Sequence, residues 1–375
     1  MVWMANDDHI TLQTELDAEL VAARASTLHG HVQTSLEQAQ RALGLARQLG
    51  NTASEAECQM LLARARMRLA NYLACAEHGA QALDLWTRLQ RPADQAEAMA
   101  LSAAACGEMH AHQAALALAQ DLSAFASRHE LHRYLPRALH IMAACHWRMG
   151  QSHEAELLML QTLSRSREGA EYGEEARALN GLLAGSNLAV DQHLRLGETE
   201  QARATVERMQ RYLSQAQAAV ARAEVPLLKA TLGLNIAMAS LLSGREDRAG
   251  PLLEASLQTC REAGYRALAL TAAEWLARLR QRQGRPQEAL DLLAELLAEA
   301  EQPSMVSLLA DAHATQALAL RDLGQTEAAE QALRDEQGLR RRMEHAKNMA
   351  LPRLLQLQQA MHQTLQDFDQ RALVG

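Results

Sequence analysis

A turn that recurs along this chain limits its possible folds more than anything else in it. Leu323-Gly324-Gln325-Thr326-Glu327-Ala328-Ala329 shows its form: an apolar-faced helix closes on Gly, the chain turns, and a new helix brings in Ala five places on. The same pattern stands at Gly150…Ala155, Gly197…Ala202, Gly244…Ala249 and Gly284…Ala289. It is weaker at Gly30…Ser35, Ala70…Cys75 and Met109…Ala114. Successive turns lie roughly 40 residues apart, lengthening to about 47 over the two intervals between Gly150 and Gly244. A period of that size is the mark of stacked helical hairpins, each too thin to bury its own apolar side.

Small residues make the stacking possible, because two antiparallel helices approach closely only where their crossing point lacks bulk. Seven places before the turns stand Ala23, Ala63, Ser102, Ala143, Val190, Ala237, Ala277 and Ala317, small in every copy but Val190. At the turn itself Gly adopts the left-handed conformation that closes a helix. The copies at Ala70 and Met109 are therefore expected to be strained or looser. The two long intervals add about two helical turns each, which returns the apolar face to its original side. They predict one long helix over about 174–196 and another over about 198–222, with Pro226 starting the next. The stretches 169–173 and 302–304 read as loops between hairpins.

The fold class expected is all-α, an α-solenoid of about eight helix-turn-helix repeats. The hydrophobic content of 48% with only 3% aromatics suits closely packed helices and suits a sheet poorly. Residues 1–10 read as an arm, 11–343 as the repeat array and 344–375 as a C-terminal helix. Pro352 is expected to interrupt or kink that helix. Beyond it Leu354, Leu357, Met361, Leu365 and Phe368 form one stripe, read either as a cap over the open end of the array or as a homodimer seam across 354–368.

A net charge of −8 and a pI near 6.0 argue against nucleic acid as the main partner, since phosphate neutralisation needs a basic face. No apolar run reaches membrane-spanning length, and Asp7 and Asp8 stand where a secretory signal would be basic and then apolar, so the expected compartment is the cytoplasm. The five cysteines, Cys58, Cys75, Cys106, Cys145 and Cys260, show no paired spacing and occupy positions that are Ala or similar in other copies, which reads as packing. The histidines lack the i,i+4 pairs that aim two imidazoles at one ion. No phosphate-binding, nucleophile-elbow or zinc signature is present, so no enzyme activity, cofactor or metal is expected.

The stretches "RDLGQTEAAEQAL", "RQRQGRPQEALDLL" and "WRMGQSHEAELLML" resemble the tetratricopeptide repeat (TPR) family, in its longer-repeat variety. The likeness covers about 11–343 and departs from the family in replacing most of its aromatics by Leu, Ala or Met and in lacking most closing prolines. The resemblance implies a non-catalytic protein- or peptide-binding scaffold, regulatory or signalling, whose concave face is lined by the first helix of each pair. It also implies two alternatives: a sensor module of a bacterial signalling system, such as a diguanylate cyclase, lacking its output domain, and a helical-array regulator that dephosphorylates a signalling partner.

If first helices line a groove, residues two, six and ten places before each turn share a face. Six before stand Arg24, Arg64, Asp191 and Arg278; two before, Arg68, Arg148, Arg195 and Arg282; ten before, His140 and Asn187. Trp147 is expected to offer a flat apolar surface, and Asn235 lies nearby. Guanidinium and amide groups along a groove suit a peptide backbone or a carboxylate, because they donate several hydrogen bonds in fixed geometry. The ends of this groove read as basic and its middle, at Asn187, Asp191 and Asn235, as neutral or acidic.

Overall fold

The computed structural model describes residues 2–29, 31–168, 172–222, 224–298 and 305–374, with side chains from residue 9 to residue 370. Among the described residues there are sixteen α-helices, one 3-10 turn over His132–Tyr134 and no strand. The fold is an all-α helical-repeat solenoid.

Its local rule is stricter than the hairpin period suggests. Helices α3 (Thr52–Arg68), α4 (Tyr72–Arg88), α5 (Pro92–Glu108) and α6 (His112–Arg128) each span 17 residues. Left-handed residues separate them at Gly50, Ala70, Gln90, His110, Glu130 and Gly150, evenly spaced at half the hairpin period. The turn within a hairpin and the turn between hairpins are thus the same device. At each of these but Glu130, two amides reach back to the last helical turn: Ala70 N–H donates to Met67 O at 3.1 Å and Asn71 N–H to Arg66 O at 2.9 Å, the paired bonds that close a Schellman motif. Asn51 and Asn71 then cap the next helix, their side chains accepting from Ser54 N and Ala74 N. Pro92, Pro226 and Pro286 begin α5, α11 (Pro226–Leu242) and α14 (Pro286–Leu297), where a missing N–H has no helical partner to lose.

The third turn corrects the sequence register. Met109 is still near-helical at φ −80°, and His110 at φ 57° is the left-handed residue. The intervals on either side of it then become equal, and the small pair becomes Ala103 and Ala115, each fully buried. Gly30, the first turn, lies outside the described residues, as do 169–171 and 302–304 of the expected loops; Tyr172 already begins a helix.

The chain forms two compact units, Met1–Cys145 with Lys347–Gly375, and His146–Ala346. In the first, Leu16, Leu20 and Ala23 of α1 (Val2–Leu28) meet Leu36, Ala39, Ala42 and Ala46 of α2 (Val32–Gln48) and Leu61, Leu62 and Ala65 of α3. Each fully buried Leu in such a seam contributes about 1.5–3 kcal/mol. Helix α1 begins at Val2, so residues 2–10, expected as an arm, are part of that helix.

Helix α16 runs from Thr326 to Val374, passing through Pro352 without interruption. Its part beyond Ala346 belongs to the amino-terminal unit. Leu354, Leu357, Met361 and Leu365 are buried within their own chain. Arg353 pairs with Glu77 of α4 at 3.0 Å, His362 with Asp121 of α6 at 2.9 Å, and Asp369 with Arg128 of α6 at 2.6 Å. This part of α16 therefore lies against second helices of the unit.

In the other unit the long intervals produce α9 (Tyr172–Arg195) and α10 (Thr199–Arg222), of 24 residues each. α11, α12 (Glu246–Glu262) and α13 (Arg266–Arg282) share a core that includes Leu234, Leu253, Leu257, Leu276 and Leu279. A second core joins α13 to α14, α15 (Val306–Asp322) and Leu339 of α16. All five cysteines are free and buried; burial pushes the Cys58, Cys75 and Cys106 thiols up to about 12, as expected of small packing residues. No described helix is long and apolar enough to cross a membrane.

Candidate functional site

The charged residues of the first helices are organised by a constant offset between neighbouring hairpins. In the amino-terminal unit, the guanidinium of Arg24 on α1 grips Glu57 of α3, with Nη2 to Oε2 at 2.6 Å. One hairpin on, Arg64 of α3 donates to Glu97 of α5 at 3.5 Å. In the other unit, Arg278 of α13 faces Asp311 of α15 at 3.8 Å. Each pair is an i,i+33 pair: it links the residue six places before one turn to an acid early in the next first helix, so adjacent hairpins are laced along a single face. Sequence reasoning found the arginines and missed Glu57, Glu97 and Asp311; the constant offset was the signal that locates them.

In the amino-terminal unit the paired side chains of this face are partly exposed. Arg137 of α7 (Leu135–Arg148) reaches Glu97 from the opposite side to Arg64, at 2.8 Å, so one carboxylate is held between two guanidiniums. The Arg64, Arg137 and Glu97 side chains are 43%, 38% and 23% exposed. Below them Tyr134 donates its hydroxyl to Ala93 O at 3.0 Å and accepts from Arg133 at 3.2 Å. Arg64, Asp94, Glu97, Arg133, Tyr134 and Arg137 line one pocket. An adjoining pocket shares Arg64, Asp94 and Glu97 and adds Glu57, Met60, Trp86 and Arg91 among its walls. Burial, and then the Glu97 charge, raise the Tyr134 pKa, so the phenol stays a donor.

In the other unit the same face carries a denser network, centred on Arg278 and Glu274, whose side chains are 19% and 1% exposed. Arg195 bonds Asp191 at 2.8 Å and Asp311 at 2.9 Å, joining α9 to α15 across 116 residues of sequence. Arg278 bonds Asp191 at 3.1 Å and the carboxylate of Glu274, and lies over the Trp275 ring with 4.6 Å to its centroid. Arg340 of α16 adds a bond to Asp311 at 3.1 Å. Glu274 is 1% exposed and also accepts from Thr315 at 3.0 Å. Burial raises the Glu274 pKa and the Arg278 charge opposes that rise. Burial likewise pulls Arg278 down, but Glu274, Asp191 and Asp311 outweigh it, and the guanidinium stays charged. Glu274 sits ten places before its turn, a position the face rule already covers.

The remaining candidates divide by location. Arg68 donates to Thr27 O at 2.7 Å and ties α3 to the end of α1. His140 of α7 keeps solvent-exposed surface, yet the surrounding protein withholds enough water to lower its pKa. Arg148 is exposed at the end of α7. Arg282 turns away from the first-helix face and pairs with Glu246 of α12 at 2.7 Å. Asn187 and Asn235 are buried between α9 and α11: Asn187 donates to Asn235 O at 3.1 Å, and Asn235 donates to Asn180 at 2.9 Å. They bind two helices together and present no amide to solvent. Trp147 offers no open surface either, being 5% exposed with its ring against Gly185 of α9. Along this face Arg24, Arg64 and Arg137 in one unit and Arg195 and Arg278 in the other are each paired with a carboxylate.

No protein-family model matches this sequence, and no curated protein matches it. Among solved structures, a Rap protein complexed with Competence and Sporulation Factor is similar with a TM-score of 0.58 at 11% identity, over 89% of this chain and 99% of that one. The apo form of the quorum sensor NprR from B. thuringiensis reaches 0.44 at 13% identity, over 88% and 99%. A circular tandem repeat protein reaches 0.31 at 14% identity, over 97% and 98%. Of these three, the Rap likeness alone passes 0.5, and at that identity what it shows is the fold, a TPR-like helical repeat.

Proposed function

We propose that the chain is a regulatory protein- or peptide-binding scaffold that takes an extended segment of its partner along the first helices of the amino-terminal unit. One observation carries the reading: Glu97 is suspended between Arg64 and Arg137, all three partly exposed on pocket walls, so the ladder can exchange internal partners for those of a ligand. Surface ion pairs of this kind are worth about 0–1 kcal/mol each, so exchanging them costs little. The other unit is the poorer candidate, because its central arginine, Arg278, is committed to the buried carboxylate of Glu274. The Rap structure, solved in complex with Competence and Sporulation Factor, supports this fold as one on which a partner can be held. No cofactor enters the proposal.

The test is to select binders from a random peptide library on the full chain and to map amide hydrogen exchange with the best of them. Protection on α3, α5 and α7, lost in Arg64→Glu/Arg137→Glu while helicity is kept, is the expected result. Protection confined to other helices, or equal binding by the double variant, overturns it.

A further inference from the structure

Within that pocket one cation stands apart. Arg64 and Arg137 share Glu97, Arg91 pairs with Asp94 at 2.9 Å, and Arg24 pairs with Glu57. Arg133 is exposed, and among the described residues no carboxylate pairs with it. It is nevertheless held in place: its guanidinium donates to the Tyr134 hydroxyl at 3.2 Å and lies over that ring at 4.9 Å, and Tyr134 is itself anchored on the Ala93 carbonyl. The pocket it lines holds three arginines, Arg64, Arg133 and Arg137, against two acids, Asp94 and Glu97. An ordinary solvated arginine is neither fixed by a buried phenol nor gathered with two others on one wall. Pre-ordering of a guanidinium lowers the entropy lost when an anion binds it in two-point fashion.

We infer that Arg133, oriented by Tyr134 and flanked by Arg137, is the specificity-determining residue of the groove, and that it selects partner segments bearing an acidic side chain at the point that crosses α7. The inference rests on the proposed peptide-binding reading and sharpens it to a ligand chemistry. The anion supplies the countercharge that the pocket's own two acids leave wanting. A basic side chain at the same point meets three guanidiniums and is rejected.

The experiment uses the full chain and three pools of N-acetylated, C-amidated decapeptides, randomised except for a central Glu, Ala or Lys, read by fluorescence anisotropy at low salt. Blocked ends exclude a terminal carboxylate as the source of any preference. The Glu pool is expected to bind at least tenfold tighter than the Lys pool, Arg133→Ala to erase that ratio, and Arg133→Glu to invert it, with circular dichroism unchanged for both variants. Tyr134→Phe keeps the ring and loses the hydroxyl anchor, and is expected to reduce the ratio without inverting it. Binding of all three pools alike by the wild type, or a Glu preference that survives in Arg133→Ala, overturns this inference and leaves the peptide-binding reading standing. Absence of binding by every pool overturns both.

Discussion

Removing Arg278 tests the reading of the second unit most directly. Arg278→Met keeps a long unbranched side chain of similar reach and leaves Glu274, 1% exposed, with the Thr315 hydroxyl as its remaining partner at 3.0 Å. Breaking a buried pair by deleting one member costs about 3–5 kcal/mol, because the other charge stays desolvated and uncompensated. Asp191 and Asp311 add little to that figure, since both are about a quarter exposed and keep Arg195. The pH dependence separates this cause from lost packing. Burial already lifts the Glu274 pKa above the ordinary 4.5, and without the opposing Arg278 it rises further. A carboxyl whose folded pKa lies above its unfolded one gives its full stability below the unfolded value and loses it as pH rises through the folded value. The variant should therefore be penalised fully at pH 8 and much less near pH 4.5, with about 1.4 kcal/mol recovered for each further tenfold rise in proton affinity. Urea titrations of wild type, Arg278→Met and Glu274→Leu/Arg278→Met at both pH values, followed by circular dichroism, measure it. The double variant should recover most of the loss, since an apolar pair replaces an ion pair. A deficit below about 1 kcal/mol, or one equal at both pH values, refutes the account of a buried charge held by one guanidinium.

Three further outcomes follow from the packing. Gly185→Ala places a Cβ inside the space of the Trp147 ring, so the indole must move; the variant should lose about 1–3 kcal/mol and shift its tryptophan emission. Gly79→Ala meets the Ser102 hydroxyl, which is buried with no partner among the described residues; the single change should destabilise. The pair Gly79→Ala/Ser102→Ala should instead raise the urea midpoint, by about 1 kcal/mol of helix propensity. Ala70→Gly and His110→Gly relieve left-handed residues at φ 54° and 57° and should each stabilise by up to about 1 kcal/mol in the same titration, while the same change at Met109, which is near-helical, should not.

Strain at the non-glycine turns is legible in the sequence because a left-handed residue is a local demand, and Ala70 meets it at φ 54°. The third turn lies one residue beyond its expected place because Met109 and His110 carry no glycine to mark which of them turns over. The arginines of the candidate site are legible from their offset to a turn. Their carboxylates lie outside an offset counted back from a turn and become legible only through the i,i+33 spacing that the structure shows. The face rule fails at Asn187, and the expectations for Trp147 and Asn235 beside it fail too, because a place counted back from a turn is a surface position only where no neighbouring hairpin covers it.

Whatever repeats in this molecule was already written in the order of its residues: helices of 17 residues, short turns, small crossing residues, and two longer helices of 24 residues where the period stretches. Those properties depend on backbone conformation and on contacts between neighbours in sequence, so a local pattern encodes them. Long-range packing settled the rest: which charges meet over 87 or 116 residues, which arginine of the candidate pocket has no acid among the described residues, and that the apolar stripe of α16 lies on α4 and α6 of its own chain. These depend on the small rotation accumulated from hairpin to hairpin, a quantity summed over many interfaces and carried by no single one of them.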